Sequence, residues 1–209
     1  LIHVCIHHIL DSKEYPLIKE LSTNPQTELL LNDQEAHLVH SLARQSCGIE
    51  GDLAEVGVYK GGSAMLIKDA CNKPMHLFDT YEGLPETSKH DNPDQFKKGE
   101  YHGTLETVKE NLDQYNDVSF YKGLFPSTAT PIKDKVFSFV HLDVDLYEST
   151  KDCLEFFYPR MSAGGIIVTH DYTSAQGVKK AFDDFFADKK EFTLIMHGTC
   201  QGYIIKCSE

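Results

Sequence analysis

The chain has 209 residues, enough for one domain with a sizeable core, and its 41% hydrophobic and 25% charged content is ordinary for a globular protein. A formal net charge of −12, with no long Lys/Arg run, argues against a nucleic-acid partner. A small uncharged or cationic substrate suits that balance better.

The opening segment LIHVCIHHIL is apolar, but it lacks a basic leader and a small-residue cleavage site, and it is far too short to span a bilayer. No later stretch approaches transmembrane length, so no membrane partner is expected. The missing initiator Met points to residues upstream of Leu1. Residues 1–32 read as an N-terminal segment, with the main domain over 33–209. Asn32 or Asp33 caps a polar, apolar-striped helix over roughly Asp33–Cys47.

DLAEVGV is then a short β-rich run, GGSAMLIKDACN a helix, and MHLFDT a strand ending in Asp79. The polar stretch Tyr81–Gly103 is too long for an ordinary connection and reads as a lid or binding loop. Thr104–Tyr115 is helical, DVSFYKG a strand, and VFSFVHLD a strongly apolar strand. LYESTKDCLEFFYPRM is helical, with Cys153, Phe156 and Phe157 inward. GGIIVTHD is a buried strand and GVKKAFDDFFAD an amphipathic helix; the tail EFTLIMHGTCQGYIIKC reads as an antiparallel hairpin. Strands alternating with helices predict an α/β sheet covered on both faces, with its ligand at the carboxyl ends of the strands.

Six cysteines, Cys5, Cys47, Cys71, Cys153, Cys200 and Cys207, are scattered without a CxxC pair. That pattern speaks against a zinc ribbon and reads as free thiols of a cytoplasmic protein.

EVGVYKGGS follows the first strong strand and opens a helix, where a glycine-rich nucleotide loop belongs. Against GxGxxG, Gly57 and Gly62 match, but Tyr59 replaces the middle glycine that lets backbone approach a pyrophosphate. Lys60 precedes the glycines, so a P-loop is excluded as well. An adenosine ligand without phosphate fits better, with Asp79 on its ribose hydroxyls. S-adenosylmethionine is such a ligand, its carboxylate near the N–H groups of the helix starting at Gly61–Ser63. A tight strand–helix turn beside an unrelated surface acid is the plain alternative.

FVHLDVDLYEST ends an apolar strand in two aspartates, and the next strand ends in THDY. If the strands are neighbours, Asp143, His170 and Asp171 converge at the sheet edge. That set suits Mg²⁺, and His170 admits Mn²⁺ or a softer ion. Asp143 is then the candidate base. Asp145 is as readily the cap or first-turn acid of the following helix. His141, one pleat back, faces elsewhere, and a structural histidine is the plain alternative for His170.

AEVGVYKGGSA, LFDTYEGLP, YKGLFPST, HLDVDLYESTKDCLEFFYPRMSAGGIIVTHDY and GVKKAFDDFF together resemble the macrocin O-methyltransferase family. The resemblance runs in the family's order from about Asp33 to Phe186. It implies a Rossmann-like class I methyltransferase fold, with a mostly parallel seven-stranded sheet and a C-terminal antiparallel hairpin. It also implies Mg²⁺-dependent, S-adenosylmethionine-dependent O-methylation of a sugar or other diol. Carried over, Glu55, Gly57, Tyr59, Gly61 and Ser63 surround the methionine end, Asp79 and Thr80 the ribose, and Lys122 and Gly123 the adenine. Asp143 contacts the cofactor as well, and is metal ligand and general base. The chain departs from the family at His170, where an acid is usual before Asp171. The segment before Asp33 matches poorly; in the family such segments contribute to a lid or to homo-oligomer contacts. A metal-dependent glycosyltransferase using DVD, and a non-catalytic cofactor binder, are the competing readings.

Overall fold

The structure is a computed structural model describing residues 12–208; the opening apolar segment and Cys5 lie outside the described residues. In chain order the elements are α1 (Tyr15–Thr23), α2 (Asp33–Ser46), β1 (Asp52–Val56), α3 (Gly62–Ala70), β2 (Met75–Asp79), α4 (Leu105–Asn111) and β3 (Val118–Lys122). They continue with β4 (Phe137–Leu142), α5 (Tyr147–Phe157), β5 (Met161–Thr169), α6 (Gln176–Phe186), β6 (Leu194–Ile195) and β7 (Gly202–Ile205). One seven-stranded sheet has the order β3-β2-β1-β4-β5-β7-β6. Strands β1 to β5 are parallel, and β7 runs antiparallel to both β5 and β6. The α/β sheet with a terminal hairpin is therefore as expected.

The apolar patterning accounts for the layers. FSFVHL of β4 is buried along its whole length, as a central parallel strand between two helical layers requires. Leu53 and Phe139 face a core shared with Ala36, Val39, Leu66 and Ile67 of α2 and α3. Ala54, Val140 and Leu142 face the opposite core, with Leu154, Phe157 and Phe182 of α5 and α6. The alternation along β1 and β4 thus serves both layers. No helix among the described residues is long and apolar enough to cross a membrane.

Helix α2 starts at a capping box: Asn32 accepts from the Gln34 and Glu35 N–H groups, and Glu35 accepts from the Asn32 N–H at 3.0 Å. The helix expected to run through YPRM stops at Phe157 instead. Pro159 cannot extend the ladder, so Tyr158–Arg160 forms a 3₁₀ turn and Met161 already belongs to β5.

Two further expectations are corrected. Cys47 and Cys71 are joined in a disulfide, with their Cα atoms 5.7 Å apart, so the thiols are not all free. The packing of α2 against α3 brings these helix ends together, which spacing in the sequence does not reveal. Cys153, Cys200 and Cys207 remain free. Asp145 does not cap α5; the helix N–H of Tyr147 donates to Asp91 Oδ1 at 2.8 Å. Asp91 lies in the Tyr81–Gly103 segment, which has no helix or strand yet is anchored by Leu84 and Phe96 packing on Leu146, Ala175 and Val178.

Candidate active site

Strand order reverses between β1, which leads outward to β2 and β3, and β4, which leads to β5. The carboxyl ends of β1 and β4 therefore border a crevice. A cavity of about 430 Å³ occupies it, within the range of small-molecule sites. Gly57, Tyr59, Asp79, Thr80, Gly123 and Asp143 line it, as do His170 and Asp171. Val144 and Asp145, on the turn after β4, also contribute to the wall.

Other sequence candidates lie behind the wall. Glu55 is fully buried, and its Oε1 meets Nδ1 of His141, its register partner on β4, at 2.8 Å. Burial pushes the Glu55 carboxyl up, opposed by His141 and by a hydrogen bond from Ser63. Gly61 is the left-handed N-cap of α3. Lys122, on the edge strand, faces solvent near Glu82 at 3.8 Å.

Asp79 organises the glycine loop directly. Its Oδ2 accepts the Val58 and Tyr59 N–H groups at 2.7 and 2.9 Å, and its Oδ1 accepts the Tyr81 N–H at 2.6 Å. These bonds hold Tyr59 and Tyr81 at φ +52° and +55°. The Tyr59 hydroxyl donates to Glu28 at 2.9 Å, tying the loop to the segment between α1 and α2. Left-handed backbone recurs around the cavity at Tyr101, Asp145 and Asp171, with φ of +57°, +59° and +58°. Such conformations cost energy and persist where packing enforces them, commonly at functional sites.

The acidic edge forms because β4 and β5 are parallel neighbours, with Leu142 opposite Thr169. His170 Nδ1 lies 3.3 Å from Asp143 Oδ1 and 3.0 Å from Asp171 Oδ2. Its Nε2 lies 3.2 Å from Cys200 Sγ and 3.6 Å from Glu35 Oε2. Burial alone would favour neutral imidazole. The Asp143 charge and hydrogen bonds to Asp143, Asp171 and Cys200 outweigh it and hold the ring protonated far above its usual range. Burial, and the charges of Asp143 and Asp171, push the Asp145 carboxyl well up. Glu35 is held down to about 2: burial opposes this, but bonds from His170 and from the Cys200 and Asn32 N–H groups prevail.

Asp143, His170 and Asp171 can bring one donor atom each to within 4.8 Å of one another. The donor chemistry of the set, two carboxylates and one imidazole, fits a divalent cation. Reading the sequence missed Glu35, Asp91 and Cys200. Only Glu35 left a local signal, the Asn-x-x-Glu pattern of a capping box.

The match to the macrocin-O-methyltransferase (TylF) family spans residues 33–197, and the chain belongs to that family. It is 33% identical to the 8-demethyl-8-(2,3-dimethoxy-alpha-L-rhamnosyl)-tetracenomycin-C 4'-O-methyltransferase of Streptomyces olivaceus, over 60% of this chain and 54% of that protein. It is 28% identical to the mycinamicin III 3''-O-methyltransferase of Micromonospora griseorubida, over 65% and 60% respectively. The matched stretches thus span little more than half of these curated relatives' lengths. The O-methyltransferase NovP superposes with a TM-score of 0.73 at 21% identity, covering 98% of this chain and 94% of that one.

Proposed function

We propose that the chain is an S-adenosylmethionine-dependent O-methyltransferase acting on a hydroxyl of a sugar or similar diol. The observation that carries this reading is the position of Asp143. It stands in the cavity wall between the glycine loop and the His170–Asp171 strand end. Family membership supports the reaction class, and the rhamnosyl substrate in the name of the Streptomyces olivaceus relative supports a sugar acceptor. The same membership counts against the glycosyltransferase alternative.

Gly57, Tyr59, Asp79, Thr80 and Gly123 form the cofactor wall, with buried Glu55 and Ser63 behind it; Gly61 and Lys122 lie outside the cavity. Asp143, His170 and Asp171 are the residues that would hold Mg²⁺, or Mn²⁺. That ion supplies Lewis acidity toward the acceptor oxygen when bound. Asp143 would take the proton of the acceptor hydroxyl, and S-adenosylmethionine, when bound, would supply the methyl group and leave as S-adenosylhomocysteine, the acceptor becoming a methyl ether. Exposed Phe192 and Ile195, at the edge strand β6, are where self-association would take place in the same reading.

Calorimetry tests the cofactor assignment. S-adenosylhomocysteine is expected to bind in the micromolar range, and absence of heat at high concentration would reject the methyltransferase reading.

A further inference from the structure

We infer that Glu35, His170 and Cys200 form a thiolate-bearing cation site for a borderline ion of the zinc or cobalt class, on the far side of the His170 ring from Asp143. The three residues come from the first turn of α2, the end of β5 and the β6–β7 connection. A carboxylate oxygen, an imidazole nitrogen and a sulfur lie within 4.8 Å of one another. Nε2 is 3.2 Å from Sγ and 3.6 Å from Glu35 Oε2. In a tetrahedral site with bonds of about 2.0–2.3 Å, neighbouring ligand atoms are roughly 3.3–3.7 Å apart. The side chains therefore already stand near coordination spacing.

The hydrogen bonds around the set orient it. His170 Nδ1 faces Asp171 Oδ2 at 3.0 Å and Asp143 Oδ1 at 3.3 Å. Once the ion displaces the Nε2 proton, an N–H kept on Nδ1 and donating to a carboxylate orients the Nε2 lone pair at the ion, the usual carboxylate–histidine–metal relay. The Cys200 N–H donates to Glu35 Oε1 at 2.9 Å, which fixes the thiol relative to the second carboxylate oxygen. Sulfur and imidazole select a borderline ion over magnesium, which prefers oxygen. Binding sends the thiol proton and the Nε2 proton to solvent.

One consequence separates this site from the cation proposed above. Imidazole offers a single lone pair once one nitrogen carries a proton. An ion at Nε2 thus excludes His170 from a site built on Nδ1, leaving Asp143 and Asp171 as its remaining ligands. The Nε2 site rests on ligand chemistry alone and stands whether or not the chain methylates.

The test is an anaerobic Co²⁺ titration of the whole chain without reductant, so that the Cys47–Cys71 disulfide stays closed, read by absorbance. One equivalent is expected to bring up a thiolate-to-cobalt charge-transfer band in the near ultraviolet, unaffected by a large excess of Mg²⁺. Cys200→Ser should abolish the band, Cys207→Ser should keep it, and Glu35→Gln should weaken Co²⁺ binding about 10-fold or more. A circular-dichroism melt of Cys200→Ser checks folding, and calorimetry with S-adenosylhomocysteine, read separately, keeps the outcome distinct from that of the methyltransferase reading. No band in the wild-type chain, or a band that survives Cys200→Ser in a folded variant, would overturn the site.

Discussion

Gly57 and Asp143 are in backbone contact: a Cβ at Gly57 would lie 1.8 Å from the Asp143 carbonyl oxygen. The first glycine of the loop is thus required by the neighbouring strand end, not by a phosphate. Its φ of +84° reinforces the requirement. Gly57→Ala is expected to displace Asp143, lowering the melting temperature and cutting turnover by about 100-fold. Wild-type melting and turnover in that variant would show that the contact is dispensable.

Asp143→Asn keeps the side-chain shape but removes the proton acceptor. Turnover should fall roughly 10²–10⁴-fold, while S-adenosylhomocysteine affinity changes by no more than a few-fold. Calorimetry beside a methyl-transfer assay separates the two effects. A variant that turns over normally would remove Asp143 as base.

Asp79→Ala deletes the acceptor for three backbone N–H groups, those of Val58, Tyr59 and Tyr81. Hydrogen bonds to a charged group contribute about 1.5–3 kcal/mol each. The loop should loosen, and S-adenosylhomocysteine affinity should drop about 10-fold or more. Unchanged affinity would mean that Asp79 neither shapes the loop nor meets the ribose.

The Glu55–His141 pair offers a double-mutant test, since both side chains are fully buried. Glu55→Leu or His141→Leu alone leaves the other group without its partner and should cost about 3–5 kcal/mol in urea unfolding. The double Leu variant should recover most of that loss. Additive losses would show that the two side chains act independently.

Acid sensitivity should come partly from Asp52. Burial opposes its ionisation, but hydrogen bonds from Lys135 at 2.7 Å and His76 at 2.9 Å outweigh it and lower its pKa. His76 is lowered as well, chiefly by burial. Both groups therefore bind protons more weakly folded than unfolded. Their contributions are present above the unfolded values and are lost as pH falls through the lower folded ones. The melting-temperature gap between wild type and Asp52→Asn should be widest above about pH 5 and should shrink toward about pH 3. A gap independent of pH would exclude the linkage.

The central strands were readable because each is an apolar run closed by turn residues, and the helices from α2 onward because their stripes repeat at helical spacing; α1 fell in a stretch read only as an N-terminal segment. Asp143 was legible as an acid ending a buried strand. Asp145 was not, because its left-handed φ of +59° and its crowding by Asp143 and Asp171 arise only when β4 and β5 stand side by side. Glu55 was named as a cofactor contact by the family resemblance. Its side-chain partner, His141, is set by the β1–β4 register, which no local pattern encodes. Cys200 and Glu35 are 165 residues apart, and only the hairpin folding back over α2 joins them.

That last bond links opposite ends of the described chain. The Cys200 amide sits in a turn, where exchange with solvent water is ordinarily fast. Its acceptor, Glu35, also closes the capping box of α2 through the Asn32 N–H. The turn amide should therefore exchange its hydrogen with deuterium on the timescale of the first turn of that helix. Fraying at either element is then felt at the other, so the hairpin and α2 open as one cooperative unit.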